Sequence, residues 1–250
     1  MIRAPRARRL ILPAAAVAAI LLGAGLAFAL AGRPPASLNP AATATAPASH
    51  ADTAGPGQGQ PQVPRVSLAS VRWSGFYGVE LPVSAQAGPF GTSGGVAAGF
   101  AHTPLGALLA AVNIGVRANA QWGPRIFTAV IRGQVTGPDA AALLAGCQAA
   151  YDQAAQSGQV TGGQPLGTVD VTEQAFRWIT YTPAAAILDL VSAGPGSNGA
   201  TVRASVQMDV VWDGGDWKVV APPGGDWGNS AAELSSLAGY TVFAGQGGGR

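Results

Sequence analysis

The clearest pattern in the chain is an apolar stripe at helical spacing between residues 99 and 119. Large apolar side chains recur at i, i+3, i+4, i+7 and i+11, namely Leu105, Leu108, Leu109, Val112 and Val116. Thr103 suits an N-cap, and Pro104 suits the first helical position, where its missing N–H costs nothing. Small residues make a second face, so we expect a core helix packed on two sides. Asn113 and Arg117 are left to face water or a cleft.

Two further segments favour helices. Residues 139–156 carry one apolar face, made by Leu143, Leu144, Cys147 and Tyr151. Ser230 and Glu233 match a capping box, which predicts a short helix near the C-terminus. The stretch 122–135 is compatible with a short helix or a strand.

Strand patterns fill much of the remainder. Residues 66–81 suggest one extended segment, and 169–181 and 184–191 suggest two strands. From Val202 to Trp212 apolar and polar residues alternate, which is typical of a half-buried strand. A two-residue Gly214-Gly215 loop would place Trp212 opposite Trp217 and Asp213 opposite Asp216, with a mild repulsion between the two carboxylates. The predicted fold class is α+β, with helices packed on an antiparallel sheet.

The amino terminus has the pattern of a membrane anchor. Four arginines at positions 3, 6, 8 and 9 precede an uncharged run of 22 residues, 10–31, and a spanning helix needs about 20. The positive-inside rule then places residues 1–9 in the cytoplasm and the rest of the chain outside. The alternative is a cleaved signal peptide, because Ala27-Phe28-Ala29 matches the A-x-A cleavage pattern. Both interpretations export the remainder of the chain.

Composition divides the exported part into a tether and one domain. Residues 32–64 are rich in Pro, Ala, Thr, Gly and Gln and lack aromatic residues, so they predict a disordered linker. Residues 65–244 are long enough for one domain with a good core, and 245–250 are expected to be a disordered tail.

Charge and cysteine content exclude several classes of function. The formal charge of +2 comes from 14 basic and 12 acidic residues, and five of the basic residues are arginines of the anchor region. The exported part therefore carries nine basic and twelve acidic residues, a net charge of −3. Without a basic patch, nucleic-acid binding is not expected. The single Cys147 excludes an intrachain disulfide. One histidine outside the linker and one cysteine give no metal-ligand spacing, so neither a metal nor a cofactor is predicted.

Candidate chemistry is sparse. Gly91-Thr92-Ser93-Gly94-Gly95 matches G-x-S-x-G, but the triad order of a nucleophile elbow is missing, so we interpret it as a glycine loop. His102 is expected to brace the helix, and the alternatives are a ligand contact or a general base paired with Asp209 or Asp170. The candidate ligand-binding residues are His102, Trp178, Trp212, Trp217 and Arg177. No catalytic residue is assigned.

Three segments carry a resemblance to known proteins: Gly99-Phe100-Ala101-His102-Thr103-Pro104 with Gly106-Ala107, Phe176-Arg177 within a strand, and Trp212-Asp213-Gly214-Gly215-Asp216-Trp217. They resemble an actinobacterial family of membrane-anchored, exported domains of uncharacterised function, which is similar to the nuclear-transport-factor-2-like superfamily. The resemblance covers roughly residues 71–223. It implies a cystatin-like roll, in which a curved antiparallel sheet wraps a long helix. Functional parallels within that superfamily are extracytoplasmic subunits of conjugation and type IV secretion machines.

These observations lead to one expected function and two alternatives. We expect a non-enzymatic scaffold or interaction protein of the cell envelope that spans the membrane once. Its partners would be other envelope proteins or further copies of itself. The first alternative is a small-ligand-binding roll with a tryptophan-lined pocket, which an open cavity would favour and a filled core would remove. The second is a cavity enzyme that uses His102.

Overall fold

The computed structural model describes residues 63–158, 160, 162–196 and 200–243. The predicted anchor at 10–31, nearly all of the predicted linker and the predicted tail lie outside the described residues. Within them the protein is a mixed α/β structure with three α-helices and a large mixed sheet. The helices are α1 (Pro104–Arg117), α2 (Pro124–Gln134) and α3 (Ala140–Gln156). The uncertain stretch 122–135 is therefore mostly helical.

The strands form two sheets. The first is a hairpin of β1 (Arg72–Phe76) and β2 (Val79–Val83). The second contains seven strands: β3 (Val135–Thr136), β4 (Thr172–Tyr181), β5 (Ala185–Pro195), β6 (Thr201–Asp213), β7 (Asp216–Val220), β8 (Ala231–Glu233) and β9 (Thr241–Val242). Its order is β3-β7-β6-β5-β4-β9, with β8 paired to β6. Within the described residues β3 and β7 are the parallel pair, and the other pairs are antiparallel.

Helix α1 forms as its sequence predicts and lies in the core. The Thr103 hydroxyl oxygen accepts a hydrogen bond from the Gly106 N–H at 3.1 Å, and Pro104 is the first helical residue. Every residue from Gly106 to Arg117 is buried. The helix packs against β7, β6, β5 and β2, so it is covered on more than one side.

Asn113 and Arg117 are buried, so the expectation that they face water or a cleft was wrong. The Asn113 amide donates to the Pro82 carbonyl at 2.9 Å, and its oxygen accepts from Arg117 Nη1 at 2.6 Å. The guanidinium lies over the Phe76 ring, 4.3 Å from its centroid. The β1–β2 hairpin covers this side of α1, and the helical pattern holds no information about that distant segment.

The β6–β7 hairpin adopts the predicted register. Trp212 pairs with Trp217 and Asp213 pairs with Asp216. Gly214 and Gly215 both have positive φ, 63° and 88°, as a two-residue hairpin turn requires. The two carboxylates have separate partners, because Asp213 accepts from Lys218 at 2.7 Å while Asp216 accepts from backbone N–H groups elsewhere. These partners offset the repulsion expected from the register.

Two local predictions were wrong. Residues 66–81 do not form one extended segment, because the chain turns back at Tyr77 (φ 48°) and Gly78 (φ 93°) to make the β1–β2 hairpin. The capping-box segment from Ser230 to Glu233 is not a helix, since β8 pairs there with β6. A helix of so few residues is marginal alone, and the backbone hydrogen bonds at the edge of β6 stabilise the strand instead.

Two bulges in β4 decide which side chains face α1. Pairing with β5 shifts between Glu173 and Ala175 and again between Trp178 and Thr180. Each extra residue reverses the alternation of side chains along the strand. As a result Glu173 and Tyr181, which have odd numbers, share one face with the even-numbered Trp178.

Candidate functional site

Four of the five candidate ligand-binding residues meet near the start of α1. The His102 imidazole stacks on Trp212, with ring centroids 4.0 Å apart and planes at 10°. Trp217 meets Trp212 edge-on at 5.5 Å and lies 6.4 Å from Tyr181. Tyr181 in turn contacts Trp178 at 5.7 Å. We call these five side chains the aromatic cluster.

Two members of the aromatic cluster are packed core, and Tyr181 and Trp212 are half-buried. Trp217 is fully buried and Trp178 is 7% exposed. The Trp217 indole donates to the Ala101 carbonyl at 3.0 Å. His102 is exposed, and its Nε2 lies 2.6 Å from the Pro183 carbonyl oxygen. These contacts fix the residues just before α1 against the β6–β7 hairpin and against the turn between β4 and β5, which is consistent with the bracing role expected of His102.

Arg177 is not part of the aromatic cluster. It pairs directly with Asp189 across β4 and β5, on the sheet face opposite to Trp178. Its guanidinium forms an ion pair with the Asp189 carboxylate and lies 4.7 Å from the centroid of the Tyr240 ring. The five candidate residues therefore do not converge on one site.

Two of the catalytic arrangements considered from sequence, a His102–Asp209 pair and a nucleophile elbow, can be compared with the geometry. Asp209 pairs with Ile187 and lies on the opposite sheet face from Met208, so it does not face the side on which His102 stacks. The G-x-S-x-G segment forms a short 3₁₀ turn, Ser93–Gly95, beside a bridge between Gly91 and Ala98. The preceding strand and following helix of a nucleophile elbow are replaced by loop.

Asp216 joins the hairpin to the loop before α1, and sequence analysis missed this role. Its carboxylate accepts hydrogen bonds from the Gly99 and Phe100 N–H groups, both at 2.8 Å. It also accepts from its own neighbour, the Trp217 N–H, at 2.9 Å. The motifs around Gly99 and Asp216 are both visible in the sequence, but their spacing gives no reason to connect positions 117 residues apart.

A small cavity lies between α1 and the sheet and contains a buried acid. The Glu173 carboxyl group is 2% exposed, and the Ser192 hydroxyl donates to it at 3.0 Å from either oxygen. Burial raises the pKa of Glu173 to about 7, and the Ser192 hydrogen bond partly opposes this shift. The cavity volume is about 20 Å³, enough for about one water molecule. We call it the α1–sheet cavity. Sequence analysis missed Glu173 because the bulge after it reverses its side of the strand.

A comparison with known protein families identifies the chain. The model of a family described as Domain of unknown function (DUF8175) matches residues 34–242. The chain belongs to this family. The match includes every strand and helix of the described domain and extends into the predicted linker.

No curated protein and no solved structure matches this DUF8175 chain. Among its described residues, no helix is long and apolar enough to cross a membrane. That part of the chain also contains no group of three or more His, Cys, Asp or Glu residues suited to a metal ion. Cys147 is buried, and burial raises the pKa of its thiol to about 11.

Proposed function

We propose that this DUF8175 protein is a membrane-anchored, extracytoplasmic interaction protein of the cell envelope that takes part in an assembly such as a conjugation or secretion machine. Its folded domain is proposed to be a cystatin-like roll, with α1 enclosed by the seven-stranded sheet. Residues 10–31 would anchor it and 32–64 would tether it. The anchor could also be a cleaved signal peptide, and either route exports the domain.

The observation that carries the proposal is the filled interior of the domain. Space between α1 and the sheet amounts to about one water molecule, and two of the three candidate tryptophans, Trp178 and Trp217, pack as core. Small-molecule sites usually have volumes of about 300–1,000 Å³. Clefts at the surface of the described residues reach this size, and one of about 390 Å³ is lined by Arg177 and Trp178, but the interior space does not. The filled interior favours a domain that acts through its surface over a roll with a ligand pocket between α1 and the sheet.

Surface features are consistent with protein contacts. Large apolar side chains at Phe90, Ile179 and Val242 are 62%, 45% and 54% exposed. The exported part is mildly acidic and lacks a basic patch, so nucleic acid is not a proposed partner.

The test is crosslinking in intact cells followed by mass spectrometry. The full-length chain is compared with a truncation at residue 64, which keeps the proposed anchor and linker but removes the domain. We expect the full chain to capture several envelope proteins that also copurify with one another, and the truncation to lose them. Capture of itself alone would exclude an assembly with other proteins. A thermal-shift response to small metabolites, or turnover abolished by His102→Ala, would instead support a ligand-binding or enzymatic function.

A further inference from the structure

The loop that precedes α1 packs alongside helix α2. We call residues 88–99 the pre-helix loop. The Gln134 side chain, near the end of α2, donates to the Ala97 carbonyl at 2.5 Å. Near the start of α2 the approach is close as well, because a Cβ added at Gly95 would lie 3.0 Å from the Ile126 side chain. The pre-helix loop and α2 therefore form one continuous part of the surface.

The pre-helix loop holds an aromatic ring out in solvent. The Phe90 side chain is 62% exposed, and its N–H donates to the Ala98 carbonyl at 3.0 Å. The base of the loop is fixed by Asp216, whose carboxylate accepts from the Gly99 and Phe100 N–H groups. Burial of a phenylalanine ring is favourable, and a ring that projects from a fixed loop can be buried by a second apolar phase.

The outward face of α2 is basic. Arg125 and Arg132 are both exposed, and neither forms an ion pair among the described residues. Residues 81–138, which include the loop and the helix, contain no Asp or Glu. Asp216 reaches the base of the loop from the β6–β7 hairpin, but three backbone N–H groups donate to its carboxylate. This surface is therefore locally positive, although the exported part as a whole is acidic.

We propose that the pre-helix loop and the outward face of α2 form a docking surface for an anionic lipid bilayer. Phe90 would enter the boundary between headgroups and acyl chains, while Arg125 and Arg132 would contact lipid phosphates. An acidic protein surface would satisfy the two arginines but would offer no apolar phase to the ring. Two arginines are too few for the basic stripe of a nucleic-acid-binding protein.

The proposal rests on the membrane anchoring in the proposed function, and it does not depend on which envelope proteins the domain meets. A domain tethered to the bilayer has a high effective concentration at its surface, so a few weak contacts suffice for docking. The crosslinking test of the assembly and a test of lipid docking can therefore fail independently of each other.

Lipid quenching of a fluorophore on the pre-helix loop tests the proposal. Full-length protein with Thr92→Cys, an exposed loop position, is labelled and reconstituted into nanodiscs of phosphatidylcholine, with or without an equal part of phosphatidylglycerol. Both lipid mixtures contain headgroup-labelled quencher lipids. Cys147 should stay unlabelled, because it is buried and burial raises the pKa of its thiol to about 11. The matched control label is at Gln207→Cys, which is exposed on the sheet face opposite to Met208 and α1.

We expect quenching of the label at residue 92 in the anionic nanodiscs, decreasing as salt is raised, and little quenching of the label at residue 207. Arg125→Gln and Arg132→Gln should each lower the docking equilibrium about 5-fold. Phe90→Ser should lower it at least about 10-fold. Arg65→Gln removes the charge of another exposed arginine and should change it less than about 2-fold.

Three results would overturn the proposal. The first is equal quenching of the labels at residues 92 and 207, and the second is equal quenching of the residue 92 label in the two lipid mixtures. The third is an effect of Arg65→Gln as large as that of Arg125→Gln. Crosslinks from residue 92 to an acidic envelope protein, without lipid quenching, would assign this surface to a protein partner and would also overturn it.

Discussion

Asp216 holds together two parts of the domain that are far apart in sequence. Its carboxylate oxygens accept from the Gly99 and Phe100 N–H groups at 2.8 Å, just before α1 begins. Replacing it with alanine removes these two bonds and the local one from the Trp217 N–H, and it leaves the Gly99 and Phe100 donors without this acceptor. We expect Asp216→Ala to destabilise the domain more than any other single carboxylate deletion on the β6–β7 hairpin.

The magnitude follows from the number and kind of bonds. A hydrogen bond to a charged group contributes about 1.5–3 kcal/mol, and Asp216 is half-buried, so solvent weakens each bond. The two long-range bonds, to Gly99 and Phe100, near the lower end of this range give a loss of about 3 kcal/mol. For a domain of this size, that corresponds to a decrease in Tm of about 6–12 °C.

Urea unfolding of the full-length protein, followed by tryptophan fluorescence, measures this loss. All six tryptophans lie between residues 73 and 227, so the signal reports on the domain. The matched control is Asp213→Ala, which removes a carboxylate from the same hairpin. Asp213 is exposed and forms an ion pair with Lys218, so its loss should cost less than about 1 kcal/mol. If the two variants had the same urea midpoint, the carboxylate bridge would not stabilise the fold and the reasoning would fail.

Three other predictions use the same unfolding assay. Gly106→Ala would place a Cβ 1.9 Å from the Ala101 carbonyl oxygen and should cost about 3 kcal/mol, whereas Gly133→Ala on α2 meets no atom within 4 Å and should gain up to about 1 kcal/mol. Arg117 is buried without an ion pair among the described residues, so Arg117→Met should change stability by less than about 1 kcal/mol, while Arg117→Ala leaves a cavity and should cost about 3 kcal/mol. The folded state holds the Glu173 proton more tightly than the unfolded chain, because burial raises the pKa of Glu173 from 4.5 to about 7. The free energy of unfolding should therefore fall by about 3 kcal/mol as pH rises between these values. Glu173→Gln should lack this pH-dependent loss of stability. A loss in Gly133→Ala equal to that in Gly106→Ala, a large loss in Arg117→Met, or an unchanged pH profile in Glu173→Gln would each contradict the corresponding argument.

Local chemistry explains which features could be predicted from the sequence. Thr103 and Pro104 define the start of α1 because capping and proline geometry act within one turn. The register of the β6–β7 hairpin follows from a two-glycine turn and the match of apolar faces on both sides of it. In both cases the interacting residues are a few positions apart, so spacing alone fixes the structure.

The candidate site depended on contacts that spacing does not describe. Sequence patterns suggested that His102 braces α1, but its partners Trp212 and Pro183 are far along the chain. Arg177 was grouped with the tryptophans, although the pleat of β4 places it on the other face. The Asp216 bridge likewise required two remote segments to be brought together.

The extents of α1 and α3, the β6–β7 hairpin and the mixed α/β class were thus determined by the sequence itself, because short-range sterics and hydrogen bonding suffice for them. Tertiary structure alone decided the burial of Asn113 and Arg117, the strand at residues 231–233 and the inward orientation of Glu173. The burial of Asn113 and Arg117 depends on a hairpin that covers α1, and the strand at residues 231–233 depends on an available edge of β6. The inward orientation of Glu173 depends on a bulge that reverses side-chain alternation. Each is a consequence of where a distant segment packs, which is set by the whole fold and has no local signature.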